Sequence, residues 1–282
     1  MPSYSFVQIQ TRVSEEINDS SNANVTLTQV KKAIVSAVEH YERNRRWFAE
    51  TISRTTLTVA NAPAVAVPTD MVFLDRIQLA ATTTFTGTTS NGTSTLTSCS
   101  NTAFPVGSPI IGTGIPNNTF IKSVDSATQI TMGDIFGAAV NATASASITV
   151  RVANQPRRTL QPISYEKYSG YQNTVISTGE PTQYCYYQDR VFLYTIPNQV
   201  YLLTFWYDAR LTTLSADADN NGWTNYAEPV IRNRAKWDIF SNLLRNIKLA
   251  QLAKAQELDA LAELDAEGER RNTVGKTRAR YL

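Results

Sequence analysis

The sequence predicts an α+β fold: a helical bundle of about four helices packed with an antiparallel β-domain, an inserted all-β module and an extended C-terminal arm. Three observations predict it. Apolar residues recur at helical spacing near both ends of the chain, threonine-, valine- and aromatic-rich runs fill its middle, and the composition changes abruptly between residues 82 and 150. With 282 residues the chain can bury a substantial core as one large domain or two smaller ones. The expected organisation is a discontinuous core of residues 1–81 and 151–269, an insertion at 82–150, and a flexible basic arm at 270–282.

Taken in order, Tyr4 to Asn18 places Phe6, Ile9, Val13 and Ile17 on one helical face, with Ser3 positioned to cap the first turn. Thr28 to Phe48 predicts a longer helix with the stripe Val30, Ile34, Ala37 or Val38, Tyr41 and Phe48, while Lys31, Lys32, Glu39, Glu42 and Arg43 fall largely elsewhere. The β-branched run TISRTTLTVA and the segment VAVPTDMVFLDRIQLA read as two extended pieces. From Thr82 to Ser147 charges become scarce, and short β-like runs alternate with turn signals such as SNGT and GTGIPNN, which predicts a small β-module. VRVANQPRRTLQPIS then predicts a hairpin and SYEKYSGY a short helix. The stretch from Pro181 to Leu211 predicts two or three antiparallel strands around QDR and PNQ turns. Near the C-terminus Pro229 suits a first helical turn, and Trp237, Phe240, Leu244 and Ile247 are three or four residues apart. A second amphipathic run, Leu249 to Glu267, is expected to stop at Gly268, and the remaining residues show no periodicity and are expected to be disordered in isolation.

Several function classes lose support at once. No apolar run approaches the length of a membrane span, and the N-terminal MPSYSFVQIQTRVSEE lacks the basic and apolar regions of a signal peptide, so assembly in the cytosol is expected. Cys99 and Cys185 have neither disulfide-framework nor metal-ligand spacing and read as packing residues. His40 is the sole histidine, which argues against histidine triads and histidine–zinc sites. Phosphate-binding and dinucleotide glycine loops and a nucleophile elbow are absent from the sequence. No enzyme activity and no cofactor is expected.

Three features remain as candidates. Asp217, Asp219, Asn221, Gly222 and Glu228 satisfy a calcium-loop pattern, yet a strand precedes it and Thr224 occupies a position that is usually aliphatic. An acidic turn leading into a helix capped near Asn225, with Glu228 at the positive helix end, is the preferred reading. The aromatics Tyr184, Tyr186, Tyr187, Phe192, Tyr194, Phe205, Trp206 and Tyr207 could offer bases or sugars a stacking platform, but on strands they fit a core or a subunit interface better. Finally, the net charge of +2 hides an asymmetry: Arg270, Arg271, Lys276, Arg278 and Arg280 lie in a tail without acids, leaving 21 bases against 24 acids in the body. With Tyr281 and Leu282 as a terminal apolar anchor, these residues form a candidate docking arm that orders on a partner.

The order of YERNRRWF, ISRTTLTVA, PTDMVFLDRIQL, RRTLQPISYEKY, GEPTQYCYYQDRVFLYTIP and YLLTFWYDARLTTLSADAD, followed by a helical pair, resembles the head-to-tail adaptor (connector) family of short-tailed bacteriophages. The resemblance covers most of the chain outside residues 82–150. It implies a non-enzymatic virion protein of the neck, assembled in the host cytoplasm as a ring homo-oligomer of twelve subunits below the portal protein and lining the DNA exit channel. It further implies that residues Arg270 to Leu282 reach the portal, that a downstream tail or nozzle protein binds below, and that passing DNA is touched without sequence preference. The segment VGSPIIGTGIPNNTFIKSVDSATQITM resembles a small β-module of phage structural proteins, expected to face outward toward tail fibres or a neighbouring subunit. Another tail or neck subunit and a glycan-binding virion module are the competing readings.

Overall fold

A computed structural model describes residues 4–19, 23–153, 157–172 and 177–273. The fold is α+β, with six α-helices among the described residues and sheets that are mainly antiparallel. The chain divides into two compact units, Met1–Glu50 with Asp208–Leu282, and Thr51–Tyr207. No helix among the described residues is long and apolar enough to cross a membrane.

The first unit is helical. Helix α1 (Phe6–Glu16) buries Phe6, Ile9 and Val13, as their spacing predicts. Its cap is Ser5, and the predicted Ser3 lies outside the described residues: the Ser5 amide donates to the Gln8 side chain at 2.9 Å in a capping box, while the next two free amides, Phe6 and Val7, donate to the carbonyls of Asp219 and Asp217. Helix α2 (Leu27–Tyr41) starts in a second capping box between Thr26 and Gln29 and buries Val30, Ile34, Ala37, Val38 and Tyr41. It ends seven residues before the predicted Phe48. The run Glu42–Arg46 offers no apolar group to extend the buried stripe, and the chain turns into a 3-10 segment, Trp47–Ala49, through which Phe48 still reaches the same core.

At the other end of the chain a short helix (Gly222–Tyr226) and helix Glu228–Asp238 follow each other; they are α4 and α5, since α3 lies in the other unit. The cap is Asn221, whose Oδ1 accepts from the Trp223 and Thr224 amides at 3.0 and 3.2 Å, so the predicted cap near Asn225 is displaced by one turn. Pro229 does sit in the first turn of α5. After a π-helical turn at Ile239–Leu243, Arg245 adopts a left-handed φ of 52° and Asn246 caps α6 (Ile247–Thr273). Leu244 and Ile247 were expected to continue the Trp237–Phe240 stripe; the reversal instead leaves them 37% and 72% exposed. Helix α6 packs back along α5, and α5 also packs on α2. The helix does not stop at Gly268. Glycine there has no left-handed φ, good helix formers flank it, and the helix runs on to Thr273. All of these elements share one apolar core that includes Trp223, Ile231, Ala235, Ala253 and Leu264.

The second unit is built around a long strand, β3 (Met71–Thr89). Its sheet has the order β1 (Glu50–Leu57), β15 (Tyr201–Ala209), β3, β8 (Ala146–Ala153), β5 (Ile110–Ile111), with β9 (Arg158–Thr159) also on β3. Strand β3 passes through residue 82 without a break and pairs with β8 from Thr82↔Ala153 to Thr89↔Ala146, so residues 90–145 leave and return on one antiparallel stem. Among the described residues the segment VRVANQPRRTLQPIS does not pair as the predicted hairpin. Strands β8 and β9 instead take successive positions along β3, and β10 (Gln161–Pro162) pairs in parallel with β12 (Gln183–Tyr187). The QDR turn does make a hairpin between β12 and β13 (Arg190–Tyr194), with left-handed φ at Gln188 and Asp189 as a two-residue primed turn requires. Strand β2 (Ala64–Ala66) extends that sheet, and β11 (Thr178–Gly179) pairs with β14 (Ile196–Pro197). The predicted short helix is α3 (Tyr165–Gln172).

Within residues 85–152 a separate apolar cluster gathers Phe85, Leu96, Cys99, Ile121, Ile130, Met132 and Val150, closed by the small sheet β4 (Thr95–Leu96), β7 (Gln129–Gly133), β6 (Phe120–Ser126). Gly87 lets this cluster close: a Cβ there would lie 3.0 Å from the Leu96 side chain. At one edge the turn after β7 exposes Ile135 (62%) and Phe136 (92%), held rigid because the Asp134 carboxylate accepts the amides of Phe136 and Ala138.

Candidate functional site at the root of the C-terminal arm

The residues predicted to dock on a partner begin on α6. Arg270 and Arg271 occupy its last turn, and Lys276, Arg278, Arg280, Tyr281 and Leu282 lie outside the described residues. Arg271 is held in place. Its guanidinium lies 3.8 Å from the centre of the Trp47 ring, and its Nε and Nη2 donate to Glu267 at 3.1 and 2.6 Å. Trp47 packs edge-on against Tyr226, with centroids 4.5 Å apart, and Phe48 stacks on Tyr226 and meets Trp223. Six residues earlier on α6, Asp265 pairs with Arg46. Two arginine contacts and an aromatic cluster thus fix where the chain leaves α6. A cavity of about 300 Å³ opens beside this point, floored by Trp47 and Leu264 and rimmed by Arg45, Arg46, Asp265 and Glu269.

Further along, α6 is tied to α2 by a buried ionic group. Glu257 has no exposed side-chain surface; it accepts from the Tyr41 hydroxyl and pairs with Lys254 at 2.9 Å and Arg234 at 3.5 Å. Burial, and then this hydrogen bond to Glu257, raise the Tyr41 phenol far above its ordinary range. His40 is exposed on α2 with its ring edge-on to Tyr41; partial burial and Arg234 lower its pKa. Sequence reasoning had no means of finding Glu257, because a carboxylate among the acids of an exposed-looking helix carries no mark of its buried partner 216 residues away.

Every side chain of the calcium-loop pattern has a protein partner. Asp217 bonds Lys31 at 2.7 Å, Asp219 accepts the Ser215 and Ala216 amides, and Asn221 caps α4. Glu228 is buried between Arg12 at 3.4 Å and Arg232 at 3.0 Å; burial pushes its carboxyl up and Arg12 opposes that push. Among the described residues no group of three or more histidine, cysteine, aspartate or glutamate side chains is gathered for a metal. The loop receives the N-terminus of α1.

The strand aromatics divide. Tyr184, Phe205 and Tyr207 are buried, with the Tyr207 hydroxyl donating to Asp70 at 2.9 Å, whereas Tyr186 and Tyr187 are exposed. Helix α3 supplies their unforeseen partners: Tyr165 stacks on Tyr187 at 4.1 Å and Tyr171 on Tyr194 at 4.4 Å, with Tyr168 beside Phe192. The spacing of three between Tyr165, Tyr168 and Tyr171 was the available signal. Cys99 and Cys185 are buried free thiols whose pKa values burial raises, in keeping with their reading as packing residues.

The family described as SU10 adaptor protein matches residues 124–280, more than half of the chain, and the protein belongs to that family. It is a phage adaptor-type structural protein, a component of the virion. No curated protein matches the chain.

Proposed function

We propose that the chain is a head-to-tail adaptor subunit, assembled as a ring of twelve below the portal protein, joining head to tail and lining the DNA exit channel. The observation that carries this reading is the clamped root of the basic tail. Arg271 stacked on Trp47 gives residues 274–282 a defined point of departure, and three of those nine residues, Lys276, Arg278 and Arg280, are basic. A short charged segment tethered to a rigid helix loses less freedom on docking than a free peptide does. Residues 82–150 act in this reading as an inserted module whose rigid Ile135–Phe136 tip meets a second virion protein, a tail or nozzle component or a tail fibre.

The test is portal binding by mass photometry and negative-stain microscopy, comparing the full chain with one ending at Thr273, which spares the Arg271–Trp47 contact. Rings or portal-bound rings that are lost on truncation support the reading and assign the arm. Equal portal binding by both chains removes the arm from the reading, and a monomer indifferent to portal refutes it. A glycan-binding module would be favoured instead if sugar bound the monomer and protected the exposed Tyr165, Tyr186 and Tyr187.

A further inference from the structure

Helix α6 carries one apolar face turned to the core and a second, uncharged stripe on its exposed side. The first, with Ala250, Ala253, Leu261 and Leu264, packs into the helical core. The other runs Ile247, Gln251, Ala255, Leu258, Ala262, at spacings of four, four, three and four, and it faces solvent. Ile247 is 72% exposed and Leu258 53%. A helix with a single partner places charges on such a face. Here the charges sit at its two ends: exposed Lys248 at the start, exposed Asp259 and Glu263 toward the finish.

A complementary feature lies on α1 and α2 of the same unit. A groove of about 370 Å³ is floored by Phe6, Val35 and Leu214 and rimmed by Lys31 and Lys32, with Glu39 at its far end. Lys31 is held by Asp217, while Lys32 has no carboxylate within ion-pair distance among the described residues. The groove follows α2 from Thr28 to Glu39, about 17 Å at 1.5 Å per residue, and the stripe from Ile247 to Ala262 spans about 22 Å. Laid antiparallel, the two bring opposite charges together at both ends, Lys32 toward Asp259 and Glu39 toward Lys248, and the long side chains span the difference between about 10 Å along α2 and about 17 Å along α6.

We propose that the outward stripe of α6 in one copy seats in the α1–α2 groove of the next copy, with Leu258 as the central knob. The occupant is a second copy because this one unit carries both halves of the match on the two helices that flank α5. A contact between two different patches propagates from subunit to subunit and closes by rotation, so the proposal rests on the ring reading above and supplies its interface.

The experiment measures rings of the full chain, with and without portal, for Lys32→Glu, Asp259→Lys and Leu258→Arg. Each alters an exposed side chain, and unchanged thermal melts of the free subunit establish that each folds. Each single variant is expected to weaken self-association at least about tenfold by placing like charges, or a charge against apolar surface, in the contact. Lys32→Glu and Asp259→Lys combined in one chain restore it. So does mixing the two single variants, because alternating copies then meet an opposite charge at every contact. Rings that form normally in all three variants overturn this interface and leave the ring reading standing; a wild-type chain that forms no ring in either condition overturns both.

Discussion

Gly222 opens a helix and Gly268 is where the sequence predicts one to end, yet the structure gives the two glycines opposite roles. A Cβ on Gly222 would lie 2.6 Å from Phe48 Cδ2 and 2.9 Å from Leu211 Cδ1, inside a packed core. Gly222→Ala is therefore expected to destabilise the helical unit by about 1–3 kcal/mol in urea unfolding. A Cβ on Gly268 would meet only Trp47 Cδ1, at the ordinary contact distance of 3.5 Å, in mid-helix. Gly268→Ala is expected to stabilise by about 0.5–1 kcal/mol, and a loss in that experiment would mean that the helix ends there after all. Asp19 gives a pH-dependent counterpart. Burial opposes its charge, but the amides of Val25, Asn24 and Ala23, at 2.6, 2.9 and 2.9 Å, outweigh burial and hold its pKa below the usual range. A depressed carboxylate adds stability that is complete above its unfolded pKa of about 4 and is lost as pH falls through the lower folded value. The melting temperature of wild type should exceed that of Asp19→Asn at neutral pH, and the gap should close only in acid below about pH 4. A gap independent of pH would assign the difference to packing.

At the scale of elements, α1, α2 and α3 could be read from the sequence because their apolar or aromatic residues keep helical spacing, and the β12–β13 hairpin because QDR can form a tight turn. The ends were less legible. Helix α2 stops where its arginines begin, a matter of what the neighbouring core can receive, and the stripe through Phe240 fails at Leu244 because a π-turn and a left-handed Arg245 reverse the chain. Periodicity cannot register a backbone reversal built from ordinary residues. The partners of β8, β9 and β10 were likewise illegible, since pairing along β3 depends on contacts far apart in sequence. Of the candidate site, the charges of Arg270 and Arg271 were visible, while the Trp47 surface that receives Arg271 was not. The tie between α2 and α6 through Tyr41 and Glu257 belongs to the same hidden class. Tyr41→Phe removes a buried donor from a carboxylate with no exposed surface and is expected to cost about 1–3 kcal/mol, measured as a lower urea midpoint at unchanged slope.

At the scale of the whole molecule, the basic tail and the acidic second half of α6 meet at a sharp boundary. Residues 257–269 carry six acids and no base, whereas 270–282 carry five bases and no acid. If the tail served to neutralise its own helix, Arg270 and the residues beyond would act together, and truncation after Gly268 or after Thr273 would mainly alter stability. In the adaptor reading the two truncations differ. The shorter chain loses Arg271 and with it the stacking on Trp47 and the bond to Glu267, while the longer chain keeps both. Ending the chain at Thr273 should therefore leave the melting temperature unchanged and abolish portal binding; ending it at Gly268 should also lower the melting temperature. Reversing Lys276, Arg278 and Arg280 to glutamate in the full chain separates charge from length. Contacts between exposed charges weaken as the screening length falls, from about 10 Å at 0.1 M salt to about 3 Å at 1 M. Wild-type portal binding should fall steeply across that range, and the reversed chain should bind weakly throughout with a flat salt dependence. Salt-insensitive binding of wild type would instead assign the contact to the apolar pair Tyr281 and Leu282, and Tyr281→Ala with Leu282→Ala would then be the variant that loses it.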